Sequence, residues 1–243
     1  MMRTTVFVLA LLGSVPSLVG GAALAQTRLE VTYALRISGI LVGGLSLSSV
    51  EAGRSYSVAG LITSKGAARV FRDFSYQGRA QGQISGTAFV PRAYEEVVDT
   101  GRRQSETEIT YSGGVPQVLR YTSERVAGAD SPPAATQGDA VDPLTASFAL
   151  LRPGTAEEVC NRVLVLFDGR RRSHFALNPP QRQNGRIICT GEYRRIAGFR
   201  PDEVARHRAF PLTAAFTQTP NGLWQASEIA LRTIYGPATI TRN

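Results

Sequence analysis

The sequence predicts a mainly β fold: a strongly curved antiparallel sheet forming an open barrel or β-spiral, with two short helices covering part of it. Three observations lead there. Apolar and polar residues alternate with a period of two along many segments, the pattern of a strand with one buried face. Glycine-containing turn signals separate these segments, among them Gly113-Gly114, Asp168-Gly169 and Asn221-Gly222. Helical spacing occurs in only two stretches, and no internal period indicates a repeat architecture.

The N-terminus reads as a cleavable signal peptide over residues 1–25. Arg3 gives a short basic start, Val6 to Leu24 is almost wholly apolar, and Ala23-Leu24-Ala25 forms a small-x-small cleavage site before Gln26. The apolar run breaks at Ser14 and Pro16, too short for a span that needs about 20 apolar residues. No cysteine follows it for lipid attachment, so the mature chain is expected free in the periplasm and not membrane-spanning. Residues 26–243 then form a single β-rich periplasmic domain, large enough to bury a core of its own.

Leu29 to Ile37 alternates cleanly, and Leu45 to Ser48 gives a second strand after the glycines at 39, 43 and 44. A third strand runs near Ser55–Thr63. Over Ser64–Phe74 the spacing of Ala67, Val70, Phe71 and Phe74 predicts a short helix with Ser64 as its cap. Strand signals return near Phe74–Gln83 and Thr87–Val98, and a hairpin follows over Glu106–Tyr111 and Val115–Thr122. Residues 127–141, rich in Pro, Gly and Ala, read as a flexible loop inside the domain. Asp142-Pro143 opens the clearest helix, since the carboxylate can accept from free first-turn amides and proline suits the first helical position. Leu144, Phe148 and Leu151 form its apolar stripe, and Pro153-Gly154 stops it. Further strands are expected at Val163–Phe167, Arg171–Leu177, Arg186–Ile196, Phe210–Phe216, Leu223–Arg232 and Ile234–Thr241.

Cys160 and Cys189 are the chain's two cysteines, and in an oxidising compartment such a pair reads as a disulfide. The formal charge is +8, or +7 once Arg3 is removed, and nearly all of it is arginine. Outside the cytoplasm such a charge favours lipid headgroups or other anionic envelope components over nucleic acid. Arg170 to Arg172 is the densest basic run, and Arg171, Arg194 and Arg195 are candidates for the rim of an anionic-ligand site. The competing reading of these arginines is a charged hairpin tip that guards against aggregation.

Catalytic signatures are sparse. The sequence lacks a phosphate loop, a dinucleotide fingerprint and a Gly-x-Ser-x-Gly elbow. His174 and His207 stand far apart without cysteine or carboxylate clusters. Glu95-Glu96 and Glu157-Glu158 are adjacent pairs, which a strand would point to opposite faces. No catalytic, cofactor-binding or metal-ligating residue is expected.

The segments LEVTYALRISGILVGGLSLS, GLITSKGAARVFRDFSYQGRAQG, FVPRAYEE, ITYSGGVPQVLRY, DPLTASFALLR and VLVLFDGRRRSHF, in this order behind a signal peptide, carry a resemblance. The chain resembles the bacterial envelope proteins grouped as domain of unknown function 3108. The resemblance implies a periplasmic β-rich fold and supplies no catalytic residues. It is also similar to envelope-integrity proteins of β-spiral fold with a disulfide near the C-terminal part.

Three functions follow, in order. A non-catalytic envelope-maintenance or scaffold protein comes first, with another periplasmic protein as a candidate partner. A carrier of a lipid or other apolar ligand comes second, its site the concavity of the curved sheet if the two helices leave that concavity uncovered. A hydrolase is third.

Overall fold

The computed structural model describes residues 26–64, 73–123 and 131–243. The expected signal peptide lies outside these residues, and so does most of the stretch expected to be helical over Ser64–Phe74. The first seven strands form a meander of antiparallel hairpins: β1 (Gln26–Ile37), β2 (Ile40–Ala52), β3 (Ser55–Ser64), β4 (Ser75–Ser85), β5 (Ala88–Asp99), β6 (Gln104–Ser112) and β7 (Val115–Ser123). A 3-10 turn (Ala134–Thr136) leads to the short β8 (Ala140–Val141), then α1 (Pro143–Leu151) and α2 (Ala156–Val159). The second half adds β9 (Arg162–Phe167), β10 (Arg172–Leu177), β11 (Gln181–Gln183), β12 (Arg186–Ala197), α3 (Pro201–Arg206), β13 (Ala209–Gln218), β14 (Trp224–Thr233) and β15 (Gly236–Arg242).

All of these strands belong to one sheet, ordered β7-β6-β5-β4-β3-β2-β1-β15-β14-β13-β12-β10-β9-β8, with β11 paired to β12 off this path. The link between the halves is β1 with β15, the first and last strands of the described chain. Every pairing is antiparallel except β8 with β9. Register shifts at Leu35/Arg36, Gln81/Gly82, Glu108/Ile109 and Ala215/Phe216 place an extra residue in the ladder and sharpen the local bend. The sheet curls until its two ends approach. The turn at Ala134–Thr136, which feeds β8, packs on β7 at the far end of the path. The result is a nearly closed barrel.

The parity of the strands decides what fills it. Val31 and Tyr33, Leu47 and Ser49, Tyr56 and Val58, and Phe89 all point inward and are buried, while their neighbours face solvent. The barrel does not close on these side chains alone. Helix α1 runs through the interior and packs on β3, β4, β5, β9 and β14. Asp142 accepts from Thr145 N at 2.7 Å, which satisfies a first-turn amide, and Pro143 occupies the first turn. Leu144, Thr145, Ala146, Phe148, Ala149 and Leu151 are all buried and only the stripe of Pro143, Ser147 and Leu150 keeps partial exposure, so most of the helix surface is enclosed and not a single stripe. It comes so close to β3 that a Cβ on Gly60 would sit 2.7 Å from Leu144 Cδ1. Phe148 stacks on Tyr56 at 5.3 Å between centroids and meets Phe89 edge-on at 5.8 Å. At the C-terminal end of α1, Arg152 holds Glu51 through two hydrogen bonds of 3.2 and 3.1 Å.

Several expectations change. Ser64 ends β3, its Oγ accepts from Phe74 N at 3.1 Å, and its own N–H donates to the Phe74 carbonyl at 2.9 Å, while the helix expected to start from it falls outside the described residues. The loop expected over 127–141 is partly outside the described residues, and its described part ends as β8, with Ala140 and Val141 buried. Helices α2 and α3 were not expected. Cys160 lies at the C-terminal cap of α2, two residues before β9 begins.

Candidate functional site

The polar groups inside the barrel cluster around the N-terminus of α1. Asp142 is completely buried, and its second carboxylate oxygen accepts from Thr145 Oγ1 at 2.7 Å. Since that hydroxyl spends its hydrogen on the carboxylate, the Tyr56 hydroxyl at 2.8 Å is the donor to Thr145 Oγ1. The wall of the barrel thus reaches the buried acid through one threonine. Burial pushes Asp142 up from 3.8 to about 6, against the lowering effect of the Thr145 hydrogen bonds.

A second group lies on β4, β5 and β6. Tyr94 and Glu96 sit two residues apart on β5 and so share a face. The Tyr94 hydroxyl donates to Glu96 Oε2 at 2.5 Å, and Thr107, directly across on β6, donates to Glu96 Oε1 at 3.1 Å. The Tyr76 hydroxyl lies 3.4 Å from that of Tyr94. Tyr76 reaches it by lying over Gly78, where a Cβ would stand 2.5 Å from the Tyr76 hydroxyl oxygen. Gly82 plays the same part for its cross-strand partner Tyr56, whose hydroxyl oxygen would be 2.6 Å from an added Cβ. Burial raises Glu96 above the usual carboxylate range, helped by the nearby Asp168 and opposed by Tyr94, Thr107 and Arg171.

The β9–β10 hairpin carries the third group. Asp168 accepts from the backbone N–H of Arg170 at 3.0 Å and of Arg171 at 2.6 Å, an Asx turn that fixes the tip. Burial raises Asp168 while those amides and the two arginines hold it down. The tip leans across the barrel seam, since a Cβ on Gly169 would lie 3.0 Å from Thr107 Cγ2 and 3.6 Å from Tyr121 Cδ2. Arg170, far from being an exposed charge, is buried.

The three arginines singled out in the sequence separate. Arg171 and Arg195 stack on one ring, with guanidinium carbons 5.2 and 5.3 Å from the Phe199 centroid, and Arg195 also lies 4.9 Å from Phe210. Arg195 donates to the carbonyls of Glu203 and His207 at the end of α3. Arg194 points from the other face of β12 and pairs with Glu192 at 2.7 Å. No rim of all three forms. Cys160 and Cys189 are bonded, with Cα atoms 5.8 Å apart, which ties α2 to β12. His174 lies on β10 and His207 caps α3, so they occupy different elements.

The interior tyrosines were not picked out from sequence, although their inward parity marks them. The capping box from Thr155 to Glu158 is the local signal for α2, and Asn184-Gly185 is the one for the β11–β12 hairpin. Tyr56, Thr145 and Asp142 tie the wall to the helix, Tyr94, Glu96 and Thr107 bond among themselves, and the buried Ser49 and Tyr111 hydroxyls have no hydrogen-bond partner among the described residues. Grooves remain on the outside. One of about 650 Å³ crosses the outer face of β1–β4, lined by Thr32, Ser46, Ser48, Gln77, Arg79 and Arg242.

Comparison with known proteins agrees with the resemblance read from the sequence. No curated protein matches the chain. A solved structure described as a beta-barrel-like protein of domain of unknown function DUF1849 from Brucella abortus is similar, with 10% sequence identity and a TM-score of 0.47, over 91% of this chain and 96% of that one. The profile of the family described as protein of unknown function DUF3108 matches residues 28–197, through the meander, the interior helix and the disulfide, and the chain belongs to that family.

Proposed function

We propose that this protein is a non-catalytic component of the bacterial envelope, exported by a signal peptide over residues 1–25 and working in the periplasm as a scaffold. The observation that carries the reading is the occupied interior. Helix α1 and the Tyr56, Phe89 and Phe148 rings take the space in which a carrier would hold an apolar guest. Asp142, Thr145 and Tyr56 anchor that helix to the barrel wall. The disulfide supports an oxidising compartment, and no helix of the described residues is long and apolar enough to cross a membrane.

The test combines cell fractionation with a deletion strain. The processed protein should appear in the periplasmic fraction beginning at Gln26. Its loss should sensitise cells to detergent, with recovery on re-expression. Native mass spectrometry of the isolated protein should show the bare polypeptide mass. A stoichiometric lipid in that spectrum would instead favour the carrier reading, and an unchanged barrier in the deletion strain would remove the scaffold reading.

A further inference from the structure

Of the ten large apolar side chains that stand exposed among the described residues, four meet on two adjacent hairpin tips. The β1–β2 turn brings Ile40 and Leu41 to the surface, 59% and 38% exposed. The β14–β15 turn does the same with Ile234 and Tyr235, 52% and 71% exposed. The tips abut, because β1 pairs with β15 and Ser38 N donates to the Pro237 carbonyl at 2.7 Å. Turn positions ordinarily carry Gly, Asn, Asp or Ser, so Ile234-Tyr235 is a costly choice for a turn that faces only water.

The charge around these tips has one sign. Arg36 lies across from Leu41 and Thr239, and Arg232 across from Pro237, two residues along the same face. Neither arginine has a carboxylate within ion-pair distance among the described residues. Residues 31–50 and 229–243, the parts of both hairpins toward the tips, contain no Asp or Glu, and Glu30, Glu51 and Glu228 lie farther from the tips along their strands.

We infer that the paired tips of the β1–β2 and β14–β15 hairpins dock the barrel on an anionic lipid bilayer. Ile40, Leu41, Ile234 and Tyr235 enter the interfacial region, and Arg36 and Arg232 meet the headgroup phosphates. Tyrosine suits that depth because its ring is apolar and its hydroxyl stays wet. Apolar insertion and cationic attraction act together, as surface binding requires. A second copy of the chain fits less well, since an isologous contact would bring the unpaired arginines of both copies together. The inference rests on the envelope location proposed above. The vesicle test below is independent of the deletion phenotype, so either can fail alone.

The processed protein, purified after export, is mixed with phosphatidylcholine vesicles with and without phosphatidylglycerol. Co-sedimentation is expected with the anionic vesicles and should weaken as salt rises. Ile234→Ser combined with Tyr235→Ser should lower binding roughly tenfold or more, from the apolar area lost. Arg36→Gln with Arg232→Gln should abolish the preference for anionic vesicles. Tyr235→Trp gives a local readout: its emission should shift to the blue on binding, while the buried Trp224 stays unchanged. Three results would overturn the inference: no binding to either vesicle, binding unaffected by both double variants, or a dimer that the Ile234→Ser/Tyr235→Ser variant dissolves.

Discussion

The Tyr56 hydroxyl lies 2.8 Å from Thr145 Oγ1, joining a wall strand to the helix inside the barrel across 89 positions of sequence. Through Thr145 it reaches the fully buried Asp142. Tyr56→Phe removes the donor and leaves the Thr145–Asp142 bond in place. The expected cost is about 1 kcal/mol, the net value of one such hydrogen bond, read as a shift in the urea midpoint. Thr145→Val breaks both links and strands the carboxylate, so it should cost clearly more. Equal losses for the two variants would show that the chain of hydrogen bonds does not act as described.

Asp142 makes folding depend on pH. Its folded value of about 6 lies above the ordinary 3.8, so the folded protein holds the proton more tightly than the unfolded chain. That contribution is complete below about pH 4 and is lost as pH rises through about 6, a change of about 3 kcal/mol at most. Glu96 and Asp168 are shifted in the same direction, chiefly by burial. Unfolding free energy should therefore fall between about pH 4 and pH 6, the range that the Asp142 shift defines. Asp142→Asn, which keeps a capping oxygen, should flatten that slope, and a slope identical to the wild type would assign it elsewhere.

Gly78 leaves room for Tyr76. An added Cβ would stand 2.5 Å from the Tyr76 hydroxyl oxygen and 3.3 Å from the Glu95 carbonyl. Gly78→Ala should cost roughly 1–3 kcal/mol, the usual range for overpacking. In a Tyr76→Ala background the same change should cost much less, because the clash is mostly with that ring. Additive losses would mean that the backbone contact dominates.

The disulfide closes a sequence separation of 29 residues that includes the β9–β10 hairpin. Cys160→Ser should destabilise by roughly 2–5 kcal/mol. Thermal unfolding with and without reductant is the direct check. The variant should be insensitive to reductant, whereas the wild type should lose a similar amount of stability when reduced.

The sequence by itself determined the local elements. Period-two alternation from Leu29 to Ile37 and from Phe210 to Phe216 fixed strands and their buried faces, because side chains alternate across a pleated backbone. Asp142-Pro143 fixed the start of α1, and Asp168-Gly169 the hairpin, because capping and turn chemistry act within a few residues. The family was legible in the same short motifs. What only the tertiary structure decided is where the elements go. Nothing local in Leu144 to Leu151 says that this helix lies inside the barrel, since enclosure depends on how far a sheet of fourteen strands, joined in the middle by the sequence-distant β1–β15 pairing, curls before its ends meet. The same holds for the arginines. Neighbours on a strand point to opposite faces, so Arg195 joins Arg171 on Phe199 while Arg194 turns away to Glu192. The closure of β1 on β15 brought the two apolar hairpin tips together, a juxtaposition spanning nearly the whole chain that no local pattern encodes.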